Sequence, residues 1–185
     1  MAVDATKVRV AISGALSRGL LAATAPTGTA SSISPAFTDL GGITEDGVSL
    51  TLPDAGDRTQ LKIWQDGQTV RTLRSTSDDL PQITVALVET KLAVIEAYFG
   101  VTVTQSVSEG TFDYKVQARA ASSYVLDVID GAELMRLYAP RAVVASVQEI
   151  KFAGTQQIGY GITLDVEYDT AKGYNLRSWM TALKS

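Results

Sequence analysis

The stretch GITLDVEYDT, Gly161 to Thr170, alternates apolar and polar residues. Successive side chains of an extended chain face opposite sides, so Ile162, Leu164, Val166 and Tyr168 point one way. Thr163, Asp165, Glu167 and Asp169 point the other. Period-two alternation of this kind marks a strand with one buried and one wet face, as antiparallel sheets have. Three carboxylates on one side of one strand repel, and Asp is depleted in strands. Two readings follow: an ordinary solvated face, or a face whose negative charge is used.

The same period recurs outward from that stretch. VVASVQEIKF (Val143–Phe152) precedes it, across the connector AGTQQ. Before that, SYVLDVI and AELMRLY form a hairpin about Asp130-Gly131, with Pro140 expected to end it. VTVTQSV (Val101–Val107), FDYKVQARA (Phe112–Ala120), PQITVALV (Pro81–Val88) and KVRVAI (Lys7–Ile12) also alternate and read as strands. QLKIWQ, Asp66-Gly67 and QTVRTLRST read as a second hairpin, because Asp-Gly readily takes the positive φ of a tight turn. In AFTDLGGITEDGVSLTL (Ala36–Leu52), Gly41-Gly42 and Asp46-Gly47 are turn signals. Two stretches read as extended loops, residues 17–35, rich in Ala, Ser, Thr, Gly and Pro, and residues 47–58.

One helix is expected over Glu89–Gly100, with Thr90 as cap, Gly100 as its left-handed end and a stripe of Val88, Leu92, Ile95 and Phe99. The tail NLRSWMTALKS spaces Leu176, Trp179, Met180 and Leu183 like a short amphipathic helix. Nine or ten strands with one or two helices predict a mainly β fold: a β-sandwich or barrel with a flanking helix. No internal repeat and no linker divides the 185 residues, so 1–185 reads as one domain with a C-terminal arm at 171–185.

Composition limits the chemistry. The chain has no cysteine and no histidine, which removes disulfides, thiolate metal sites and every mechanism that relies on imidazole. The net charge of −4 argues against a basic grip on nucleic acid. Val8–Ala25 faintly resembles a signal peptide, but Asp4 and Arg18 are misplaced for one. No apolar run is long enough to span a membrane. Phosphate-binding loops, nucleophile elbows and dinucleotide fingerprints are missing. The pairs Glu45-Asp46 and Asp78-Asp79 sit beside turn residues and read as solvated. Asp54 and Asp57 match no calcium-loop spacing. These observations predict no enzyme, cofactor or metal. Trp64 and Trp179 could stack on a sugar or base, but the strand around Trp64 favours core or subunit contact. Arg71, Arg74, Lys115 and Arg119 are spread over separate strands among Thr, Gln and Ser, as on a solvated face.

Four segments taken together resemble the major tail tube proteins of long, non-contractile-tailed bacteriophages. They are FTDLGGITEDGVSLTL, the Trp-turn hairpin LKIWQDGQTVRTLRS, the strand-helix join ITVALVETKLAVIEAYFG, and IGYGITLDVEYDT. Their order matches over residues 35 to 170. The resemblance implies a sandwich with a flanking helix, related to the tube of type VI secretion, which forms rings of six that stack into a tube. In that family each subunit lends about four strands to a continuous inner barrel, and ring closure hides the exposed sheet edges. About 24 strands, spaced roughly 4.8 Å and tilted about 40°, give a backbone circle about 45–50 Å across. Side chains of about 5–7 Å on each side leave a bore of about 30–35 Å, room for duplex DNA.

On that reading Asp165, Glu167 and Asp169 line the lumen, joined by Asp113 and Glu149, and keep DNA from sticking as lumenal Lys or Arg would. Asp46, Asp54, Asp57, Arg58, Trp179 and Leu183 are candidates for contacts between subunits or rings, intramolecular docking being the alternative. The implied partners are further copies of the chain, a tape measure protein, tail terminator and distal tail proteins, and passing double-stranded DNA, with no membrane insertion. The implied location is the virion, after assembly in the host cytoplasm. Other readings are a terminator or distal tail ring, a carbohydrate-binding or adhesin module, and a hydrolase using carboxylates.

Overall fold

The longest strand organises the fold. In the structure, a computed structural model describing residues 4, 7–54, 56, 58–74 and 79–184, β10 runs from Glu133 to Val147. Before it come β1 Ser13–Gly19, β2 Phe37–Asp39, β3 Ile43–Thr51, β4 Arg58–Lys62, β5 Thr69–Arg74, β6 Gln82–Leu87, α1 Leu92–Phe99, β7 Thr104–Gln105, β8 Gly110–Thr111 and β9 Ser122–Asp130. After it come β11 Tyr160–Val166, β12 Arg177–Met180 and a closing 3-10 turn, Thr181–Leu183.

The first part of β10 pairs with β9, from Glu133 opposite Asp130 to Ala142 opposite Ser122. The last part, Ala142 to Val147, pairs with β11. Between them the β9 register slips, from Ala139 to Ala142, at Pro140. Proline has no N–H to give a ladder, and a bulge is where a strand can hold one. So Pro140 bends β10 rather than ending it, contrary to the sequence expectation. One strand thereby serves two layers: β2–β1–β9–β10 with β12 on the far side of β10, and β10–β11–β6–β3. Leu16, Tyr124 and Leu126 of the first layer meet Ile83, Val85, Ile162 and Leu164 of the second in one core. The expected β-sandwich with one α-helix is what forms.

Several local expectations are corrected. Lys7–Ile12 is not a strand, because β9 runs out opposite it: Lys7 N–H turns back to Asp4 O at 3.0 Å, and only Ile12 N–H still reaches Ile129 O, at 3.0 Å. β1 begins at Ser13 and takes the first residues of the expected loop at 17–35. Asp46-Gly47 makes a bulge inside β3, where the register against β6 slips between Ile43 and Val48, and not a turn between strands. Val101–Val107 and Phe112–Ala120 supply only the two-residue β7 and no strand, respectively. Their side chains have other partners: Arg119 donates to Ala97 O (3.0 Å), Gln117 to Gly100 O (2.8 Å), and Phe112 stacks on Phe99 at 4.9 Å. The last carbonyls of a helix lack intrahelical partners, and these donors satisfy two of them. The tail is β12 and a 3-10 turn instead of a helix, since Met135–Tyr138 of β10 offers an open ladder there.

The helix is shorter and rotated. It starts at Leu92, and the Thr90 hydroxyl bonds Tyr160 (3.0 Å) rather than capping it. Val94, Ala97 and Tyr98 are its buried face, while Leu92 is exposed and Ile95 and Phe99 are half-buried. Tyr98 decides this. Its ring lies edge-on to Tyr160 at 5.6 Å, and its hydroxyl donates to Gln148 O. Gly100 ends the helix at φ 68°, as expected. A Cβ there adopts a left-handed conformation and approaches Arg119 Cγ to 3.2 Å. Gly100→Ala is therefore expected to lower stability by about 1–2 kcal/mol, read from urea unfolding.

Candidate functional site

The outward face of the second layer is polar. Register sets Ser49, Thr84 and Thr163 in one row and Thr51, Gln82 and Asp165 in the next. The Thr84 and Thr163 hydroxyls share a hydrogen bond of 3.2 Å, and Gln82 Nε2 donates to Asp165 at 2.9 Å. Arg141 donates to Glu167 at 2.5 Å, in a half-exposed ion pair. Asp165 and Glu167 thus share this face, and each has a partner that offsets their mutual repulsion.

The alternation read from the sequence stops at Val166, where β11 ends. Tyr168 is exposed instead of joining the apolar face. Asp169 turns the chain, accepting the Ala171 and Lys172 N–H groups at 2.9 Å each. Asp113 is exposed in the unpaired segment beyond α1, and Glu149 follows β10, paired with Lys151 at 3.1 Å. Neither belongs to a strand of the polar face.

Both edges of this four-stranded layer are open among the described residues. Beyond β3 no strand follows. On β10, β9 stops at Ala142, so Val143–Val147 has a ladder only on its β11 side. Alternation in a sequence shows which face is buried but is silent about which edge is bare.

The first layer is covered by its own chain. Ala23, Ala25 and Ile33 of the long loop pack with Phe37, Val125, Tyr138, Tyr174 and Trp179. Arg136 fixes the loop. It is 5% exposed, donates twice to Asp127 (2.7 and 2.8 Å), and reaches Gly28 O at 2.8 Å and Ser31 O at 2.6 Å. The Asp127 carboxylate holds the guanidinium above its ordinary pKa. This pair was legible: a hairpin that puts Asp130 opposite Glu133 also puts Asp127 opposite Arg136. Nearby, the Thr181 hydroxyl donates to Glu133 and keeps that carboxyl below its usual range.

Of the candidates for contacts between copies, Trp179 is half-buried in the chain's own second cluster, whereas Leu183 is 78% exposed. Asp46 is exposed on the β3 bulge, Asp54 is exposed in the loop after β3, and Arg58 is exposed at the start of β4. Asp57 and Asp78 lie outside the described residues.

The β4–β5 hairpin stands apart from both layers, and all its described side chains are exposed. Its turn takes in more residues than Asp-Gly alone. Ile63 N–H donates to Gln68 O and Gly67 N–H to Ile63 O, each at 3.0 Å, with Gly67 at φ 70°. Trp64 therefore sits in the turn, 97% exposed, and the expectation that its strand buries it in the core is overturned. Among the described residues no group of acids converges on a metal position, and no helix is long and apolar enough to cross a membrane.

The arrangement is a sandwich with a polar sheet face, two bare edges flanking that face, and a projecting hairpin. A family model described as phage tail tube protein matches residues 1–183. No curated protein matches the chain.

Proposed function

The chain belongs to the phage tail tube protein family, so its role is structural, in the tail of the virion. From that premise we propose that it is the major tube protein of a long, non-contractile tail, and that six copies close into rings which stack into the conduit for double-stranded DNA. The observation that carries the ring is the pair of bare edges on one four-stranded layer, the outer side of β3 and Val143–Val147 of β10. An edge left open in water is an aggregation hazard, and pairing β10 of one copy with β3 of the next hides both. The contact joins unlike surfaces, so it repeats around a ring. Six such layers give the barrel of about 24 strands whose bore of about 30–35 Å passes a duplex.

In this assembly the row of Thr163, Asp165 and Glu167 faces the lumen. Hydroxyls, an amide-bonded carboxylate and a neutralised ion pair leave slight net negative charge there. A single close charge contact in water is worth about 1 kcal/mol, but ring after ring it decides whether DNA slides or sticks. Changing Asp165 and Glu167 together to Lys is expected to leave tubes intact and to slow or stop DNA ejection, scored by DNA release from assembled phage. Unchanged ejection removes the lumenal assignment. Assembly takes place in the host cytoplasm, with tape measure, terminator and distal tail proteins as partners at the ends. A terminator or distal tail ring is the nearest alternative role, and it stops at one ring where a tube protein polymerises.

A further inference from the structure

Resting on the tube reading, we propose that residues 101–120, the hairpin that follows α1, lie in the cleft between β1 and β3 of the ring neighbour whose β3 completes β10. Both arms of this hairpin alternate like strands in the sequence. Yet among the described residues the ladder between them joins only Thr104 to Thr111 and Gln105 to Gly110. Phe112 and Tyr114 rest on Phe99, but Val107 at the tip and Val116 on the returning arm are bare to solvent. A hairpin alone is marginal in water, so the single chain leaves these arms without the burial their pattern calls for. The cleft is where the sandwich fails to seal. Ile12, Ile43, Val48, Leu126 and Val128 line it, in a volume of about 430 Å³. Leu126 belongs to the main core, so the cleft opens onto the core itself. The Thr44 hydroxyl in its wall is buried and has no hydrogen-bond partner among the described residues. A buried hydroxyl costs free energy until a partner arrives, and the Ser, Thr and backbone groups of the hairpin supply one.

Topology brings the two together. The steps from β10 to β11, β11 to β6 and β6 to β3 are all antiparallel. The neighbour's β3 therefore meets Val143–Val147 antiparallel, with its N-terminal half at the C-terminal end of that edge. That half, from Ile43 to Val48, is one wall of the cleft. α1 packs on the core-facing side of the layer through Val94 and Tyr98, and the Tyr98 hydroxyl reaches Gln148 O just past the end of β10. Both roots of the hairpin, Val101-Thr102 and Arg119-Ala120, share a hollow with Val144 of the bare edge. Hairpin and cleft thus lie on the same side of the joined sheet, across one strand spacing of about 5 Å. An extended arm of five residues reaches about 16 Å, enough to cross that seam. The other hollows do not meet this condition. The acidic one, lined by Asp54, Asp79 and Asp165, opens on the polar face beyond the C-terminal end of β3. The one around Val10, Leu134 and Met180 lies at the β9–β10 hairpin, away from both bare edges.

A cysteine pair tests it on the full chain, which has no native cysteine. Ser108→Cys with Asp46→Cys keeps Val107 and the cleft lining and puts a thiol beside each. A short bifunctional thiol cross-linker applied to assembled protein is expected to give covalent multimers that end at six and that neither single variant gives. Multimers that continue past six put the hairpin on another ring and overturn the inference. Tubes of the double variant that give no multimers also overturn it, and leave the tube reading standing. Wild-type protein that never passes the monomer overturns both. In parallel, Val107→Asp with Val116→Asp is expected to leave the melting temperature of the monomer unchanged and to raise the critical concentration for tubes by roughly tenfold or more. Assembly of that variant at the wild-type concentration overturns the contact.

Discussion

Arg136→Ala is expected to cost about 3–5 kcal/mol of folding stability, measured by urea unfolding, because it leaves a buried carboxylate without its cation. Arg136 and its partner Asp127 have side chains only 6% and 14% exposed. The same guanidinium holds the Gly28 and Ser31 carbonyls, so its loss also frees the loop from the first layer. Two outcomes follow beyond the number itself. The loop between β1 and β2 should become the first site of proteolysis. Arg136→Met combined with Asp127→Leu should recover much of the stability but not the loop's protection, because an apolar pair replaces the charges without replacing the donors to the loop. A cost below about 1 kcal/mol for Arg136→Ala means that the pair is not buried as described.

Leu50→Pro is expected to abolish assembly while the monomer stays folded. The reason is the direction of one N–H. Val88 N–H donates to Gly42 O and Val166 N–H to Pro81 O, so Gln82, Thr84 and Ala86 turn their backbone groups toward β3. Their partners Ser49 and Thr51 point back at β6, which leaves the groups of Leu50 facing the open side. Proline at position 50 therefore leaves the β6 ladder complete and removes a donor from the bare edge, where its ring also obstructs an incoming strand. At about 2–4 kcal/mol for each interface, a ring that must close six of them does not form. Leu50→Ala is the control for the lost side chain and should still assemble. Sedimentation velocity separates the cases. Normal tubes from Leu50→Pro mean that β3 is not an edge completed by a neighbour.

How much of this was legible in the sequence follows from what alternation encodes. Burial of one face is written in the residues, so Ile162, Leu164 and Val166 were placed correctly from spacing alone. Tyr168 and Asp169 continue the pattern in sequence but not in space, because Asp169 has a better use for its oxygens in a turn. Pro140 looked like a stop and proved to be a bend, since a bulge satisfies a residue without an N–H as well as a strand end does. Phe112–Ala120 alternates as well as any real strand here, yet the open helix end takes Arg119 and Gln117 first. The tail's apolar spacing served a strand because a ladder was vacant on β10. Of the polar face, Asp165 and Glu167 could be picked out, but the offset of their charge by Gln82 and Arg141 could not, since those partners come from distant strands.

Cryo-electron microscopy of the full-length chain, concentrated until it assembles, tests the central claim most directly. The account requires hollow tubes of six-subunit rings. In each ring Val143–Val147 of one copy lies beside β3 of the next, and Thr163, Asp165 and Glu167 face the bore. Single closed monomers at every concentration, or tubes with those residues on the outer wall, contradict it.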